Sequence, residues 1–127
     1  RHRLIGVEGY HYGFSQFEGD PAHLHQRFRI TLVKDNASTL RALQLGRGDV
    51  AVLTRAYLDS QLARDPALAE QLLISTRLDQ RYQLRMLIAP AAPIALPVFE
   101  QMMQSLTRQG VAAALWRRYG LAPTTVP

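Results

Sequence analysis

The chain has 127 residues, 47% of them hydrophobic, which suits one domain with a real core, and it lacks the run of about 18 apolar residues needed to cross a membrane. It has no cysteine, so disulfides and thiolate metal sites are excluded. The net charge of +5 and the isoelectric point of about 10.2 invite a nucleic-acid reading, but basic and acidic groups are mixed: five and four in residues 1–40, seven and five in 41–92, three and one in 93–127.

Residues 3–8 read as a strand, with Leu4, Ile5 and Val7 apolar. Gly9 and Gly13 bracket a turn, and Ser15 is placed to cap a short helix. Gly19-Asp-Pro21 reads as a break that leaves the following stretch irregular. Residues 28–33 alternate Phe28, Ile30 and Leu32 with Arg29 and Thr31, a strand pattern. Asp35 or Asn36 then caps a helix to about Leu45 whose apolar face is Ala37, Leu40 and Leu43, and Gly46 and Gly48 end it. Residues 49–53 are a valine-rich run expected to be a buried strand. A helix is predicted over 55–64, a further turn or two over 66–72, and strands over 72–76 and 82–88. Residues 89–93 form a proline-bounded linker. Helices are predicted over 97–109, with Val98, Met102 and Leu106 on one face, and over 111–119, before a tail at 122–127 expected to fray. Strands alternating with helices predict an α/β fold: an open, mainly parallel sheet with helices on both faces.

Two words of the sequence stand at strand ends, where open α/β sheets hold ligands. Ile5-Gly-Val-Glu-Gly-Tyr-His-Tyr-Gly13 takes a strand into a glycine-bracketed turn, and Leu45-Gly-Arg-Gly-Asp-Val-Ala-Val52 takes a helix end into a strand. With residues 82–89 and the closing Leu115-Trp-Arg-Arg-Tyr-Gly120, their order and spacing over residues 3–121 resemble the type II periplasmic (extracellular) solute-binding proteins, in particular the family of polar amino-acid receptors of ABC importers. The resemblance implies that residues 1–80 are ligand-binding lobe 2, and that 81–127 are a return strand and C-terminal helices belonging to lobe 1. The first half of lobe 1, which in the family grips a ligand carboxylate with an Arg, has no counterpart here. Residue 1 is Arg rather than Met, and the chain is expected to be a mature or excised piece of something longer.

The turn from Gly9 to Gly13 is the first site candidate. Backbone N–H groups at a helix start carry partial positive charge, and Gly9 lets the backbone approach a carboxylate. Tyr10 and Tyr12 are suited to stack on or hydrogen-bond a ligand, or else to pack into the core beneath a plain tight turn. His11 lies in the same loop as a further ligand contact. Thr54, at the end of the predicted strand, is the second candidate. The resemblance places an ammonium-binding Asp at this position, and a neutral hydroxyl cannot replace its charge-assisted bond. A ligand lacking an ammonium group, or a different pose, is therefore favoured. Thr54 also fits as the N-cap of the helix that follows. Asp49 is read as structural, accepting backbone hydrogen bonds at a strand start.

His23 and His25 are two apart and would share a face only in a strand; together with His11 they complete no metal set, and no metal or cofactor is expected. No catalytic signature appears. Glu8 and His11 could pair as a base, but nothing nominates a nucleophile, so the chain is not expected to be an enzyme. The expected function is non-catalytic capture of a small polar solute, carboxylate-bearing in one reading, in a periplasmic or extracellular setting, with a transporter permease or sensor module as partner and no nucleic acid. The alternatives are the sensing domain of a membrane-bound kinase and the effector lobe of a transcriptional regulator. From other classes come a basic module binding nucleic acid through Arg108, Arg117 and Arg118, and a structural domain with no ligand. The apolar face of residues 97–109 predicts self-association through the C-terminal helices.

Overall fold

The structure, a computed structural model, describes residues 2–82 and 85–121. It is a mixed α/β chain. Three strands, β1 (Leu4–Val7), β2 (Ile30–Val33) and β3 (Val50–Ala51), form a parallel sheet in the order β2-β1-β3. Leu4 of β1 stands opposite Ile30 on one side and Val50 on the other, and Ile5 opposite Thr31 and Ala51. β1 is thus the central strand, and Ile5 and Val7 are buried.

The helices are α1 (Pro21–Arg27), α2 (Asn36–Gln44), α3 (Arg55–Arg64), α4 (Leu68–Gln71), α5 (Leu96–Arg108) and α6 (Val111–Arg118). α1 corrects the expectation of an irregular stretch. Asp20 is its N-cap and accepts a hydrogen bond from the His23 amide at 2.9 Å, while Pro21 takes the first turn, where no amide donor is needed. The same Asp-Pro pair that reads as a break is a helix start. α2 begins as expected: Asp35 accepts from the Ser38 amide at 2.7 Å, and Gly46, at φ +68°, turns the chain after the last turn. These amide bonds hold the carboxyls of Asp20 and Asp35 below their ordinary range.

α1 connects β1 to β2 on one side, and α2 carries the chain back across β1 to β3 on the other. Such crossovers are right-handed almost without exception, so connections running in opposite directions send their helices to opposite faces. The core holds Ile5, Val7, Tyr12, Leu24, Ile30, Leu40, Ala42 and Leu68; each large apolar side chain among them stabilises the fold by roughly 1.5–3 kcal/mol.

Three strand expectations change. β3 pairs over two residues at a sheet edge, and Val50 is exposed, so the valine run is not a buried strand. Residues 72–76 form no strand: Leu73 is fully exposed, and a β-prone segment with no partner to pair against stays irregular. The expected strand 82–88 includes residues 83 and 84, outside the described residues, and its described members lie in no strand; residues 122–127 are also outside them.

The chain divides into two compact units, Arg1–Arg81 and Tyr82–Pro127. The first contains the sheet and α1 to α4. The second contains α5 and α6, joined through Gly110 at φ +75°. Neither α5 nor α6 has a buried residue, and Leu96, Val98, Met102, Leu115 and Trp116 are exposed.

Candidate functional site

The carboxyl ends of the three strands define one edge of the sheet. The order β2-β1-β3 reverses direction at β1: the connection leaving β1 runs to β2, and the one leaving β2 crosses back over β1 to β3. Such a switch point leaves a crevice at the carboxyl edge where ligands settle in open α/β sheets. The residues predicted as a site, Gly9 to Tyr12 and Thr54, follow β1 and β3 at this edge.

The β1 loop starts with a tight turn in which the Tyr10 amide bonds the Val7 carbonyl at 3.3 Å. Gly9 is its third residue, at φ +77°, a conformation that disfavours any side chain, and no atom lies within 4 Å of where a Cβ would stand. The two tyrosines separate. Tyr10 lies at the surface, 36% exposed; Tyr12 is 2% exposed and belongs to the core. The Tyr12 hydroxyl accepts from the Val7 amide at 2.5 Å, and its ring lies against Gly6, where a Cβ would come within 2.9 Å of the hydroxyl. Its ring stacks on Phe14 at 5.1 Å between centroids, and Phe14 meets Phe28 edge-on at 5.2 Å. Tyr12 is therefore committed to packing rather than presented to a ligand.

The short 3-10 turn Gly13–Ser15 comes next, with Ser15 inside it rather than capping it. The buried Ser15 hydroxyl bridges the Tyr12 and Glu18 carbonyls at 2.9 and 2.8 Å. Gln16 and Phe17 then adopt left-handed backbone, φ +60° and +64°, which L residues avoid. The surrounding bonds hold this strain, because the Phe17 amide reaches the Tyr12 carbonyl at 2.8 Å and the Phe17 carbonyl accepts from His11 Nδ1 at 2.8 Å. A carbonyl can only accept, so His11 Nδ1 carries the hydrogen and Nε2 of the neutral ring is an acceptor. His11 is thus turned to Phe17, and the Glu8–His11 pair considered from the sequence does not form.

Sequence reasoning missed Asp79. Its carboxylate accepts from the Gly13 amide at 2.7 Å and the Phe14 amide at 2.8 Å, and neighbouring Gln80 donates to the His11 carbonyl at 2.7 Å. The pair of N–H groups expected to await a ligand carboxylate is filled by one from the chain itself. No local signal announces this, since the partners lie 65 and 66 residues apart.

Thr54 occupies the N-cap position of α3, but its side chain makes no capping bond. It pairs with Asn36, the first residue of α2: Asn36 Nδ2 donates to Thr54 Oγ1 and the Thr54 amide donates to Asn36 Oδ1, both at 3.3 Å. Because β1 lies between β2 and β3, this pair ties together the connections that follow the two outer strands. Glu8, the first residue after β1, is exposed and has no ion pair among the described residues.

The opposite, amino edge has a different electrostatic character. Asp49 accepts from the Arg3 amide and guanidinium, the closest at 2.7 Å, and these bonds lower its carboxyl to about 2. On α1, His23 lies 3.6 Å from Glu18 and 3.7 Å from Asp20; among the described residues no group of three or more His, Cys, Asp or Glu side chains is arranged to hold a metal. No protein-family model, curated protein or solved structure matches this chain.

Proposed function

We propose that this chain captures a small polar solute at the carboxyl edge of its sheet, without transforming it, as one lobe of a type II periplasmic solute-binding protein serving an ABC importer. The observation that carries the reading is the reversal of strand order at β1, which puts the Gly9 to His11 loop and Thr54 at a switch point. The left-handed Gln16 and Phe17 add support, because strained backbone held by a dense bond network is a frequent companion of binding loops.

The groups available to a ligand are the open backbone at Gly9, the Tyr10 ring and hydroxyl, His11 Nε2, the Thr54 hydroxyl and the Glu8 carboxylate. A ligand carboxylate would compete with Asp79 for the Gly13 and Phe14 amides, whereas hydrogen-bond donors on the ligand meet free acceptors at Glu8 and His11. Closure of a second lobe over this edge would shift the population toward a form read by a permease, in a periplasmic setting. The exposed apolar residues of α5 and α6 favour self-association of the chain, read as concentration-dependent mass by light scattering.

A thermal-shift screen against amino acids, polyamines, carboxylates and nucleotides tests the reading. A ligand that binds only the folded state raises the melting temperature. The expected result is a rise with one class that is lost in Tyr10→Ala and Thr54→Ala. No rise with any class, or a rise that both variants keep, would overturn it.

A further inference from the structure

The amino edge of the sheet carries an open groove of about 380 Å³, and its lining is strongly basic. Four separate parts of the chain bring basic side chains to it: Arg3 just before β1, His25 in the last turn of α1, Arg29 just before β2, and Arg47 at the corner between α2 and β3. Phe28 and Ile30 supply apolar wall between them. We propose that this groove is a second binding site, distinct from the carboxyl edge, and that its ligand is a phosphate dianion.

Charge sets the ligand class. Asp49 neutralises Arg3 through its guanidinium, whereas neither Arg29 nor Arg47 has an ion pair among the described residues. With Asp49 included and His25 neutral, the groove keeps two uncompensated positive charges. Scattered arginines on a solvated surface are spread apart and each faces open water. Here Arg3, Arg29 and Arg47, though exposed, line one open concavity, so like charges that repel are gathered rather than spread apart. A single dianion removes that repulsion. The planar guanidinium fork also matches phosphate oxygens in a bidentate way that a point charge does not. An extended nucleic acid would need a continuing basic stripe, and at this edge the arginines are interrupted by Asp49. The site fits one phosphate group, either free or carried on a small organic molecule.

NMR titration at constant ionic strength tests this, with inorganic phosphate and glycerol phosphate as probes and chloride as the control. The expected result is saturable shifts at Arg29, Thr31 and Arg47, absent with chloride. Affinity should fall roughly ten-fold or more in Arg29→Gln and in Arg47→Gln, as the loss of a charge-assisted contact requires, and Arg47→Lys should keep part of it. These exposed positions tolerate substitution, so loss of binding is separable from loss of fold. Tighter binding of glycerol phosphate would identify an organic carrier, and equal or tighter binding of inorganic phosphate would identify the free ion. Tyr10→Ala should leave the titration unchanged, which separates this groove from the carboxyl-edge reading. Shifts that do not saturate, that chloride reproduces, or that both glutamine variants retain would overturn the proposal.

Discussion

At the carboxyl edge of the sheet, polar groups left open by local structure are closed by distant parts of the chain: Asp79 on Gly13 and Phe14, Gln80 on His11, and Asn36 on Thr54. At the amino edge, a few residues away along the same strands, Arg3 and Asp49 pair while Arg29 and Arg47 are left without a carboxylate among the described residues. The first edge is organised by directional hydrogen bonds into fixed loop geometry. The second holds one arginine in a fixed pair with Asp49 and leaves two with no carboxylate among the described residues. Shape recognition suits the one and charge recognition suits the other, so the two edges should answer to different perturbations.

The largest expected effect is on the carboxyl edge. Tyr12→Ala removes a buried ring, its stacking on Phe14 and the acceptor for the Val7 amide. Stability should fall by about 3–5 kcal/mol in urea unfolding, while Arg47→Ala at the amino edge should stay within about 0.5 kcal/mol of the parent. A similar loss in both would erase the contrast. Next comes Asp79→Ala, which frees two exposed amides for water. The expected loss is about 1–2 kcal/mol, with faster hydrogen exchange at Gly13 and Phe14 specifically. Unchanged exchange there would mean that Asp79 does not hold the loop. The smallest effect belongs to the amino edge and is read as pH dependence. The Arg3 hydrogen bonds depress the Asp49 carboxyl from its ordinary 3.8 to about 2. The pair's contribution is therefore present above the unfolded value and is lost as pH falls through about 2. The gap in melting temperature between the parent and Asp49→Asn should close as pH drops from about 4 toward 2, and high salt should narrow it at any pH.

Elements whose cause is local were legible in the sequence. α2 announces itself through the Asp35 cap and the glycine beyond its end, α3 through its helical run, and β1 through its apolar centre. α1 is ambiguous in sequence, because Asp-Pro reads as a terminator while an Asp cap followed by a first-turn Pro equally begins a helix. Strand pairing is not local. The β-branched residues of 72–76 have strand propensity but no neighbour to pair with, and β3 is shorter than its valine run because only two residues meet β1. At the site, the loop and Thr54 were visible as strand ends. The division of labour between Tyr10 and Tyr12 was not, because it depends on which ring finds the bare backbone of Gly6. Nor was Asp79, whose partners are defined by the finished fold.

That last contact also has a consequence in time. A ribosome adds residues in order, at roughly 5–20 per second, so the 66 residues between Gly13 and Asp79 take on the order of 3–13 s to follow. During that interval the helix caps of α1 and α2 can form from neighbours already made, whereas the Gly13 and Phe14 amides wait for the Asp79 carboxylate. The β1 loop is therefore among the first parts of this unit to be synthesised and among the last to be finished.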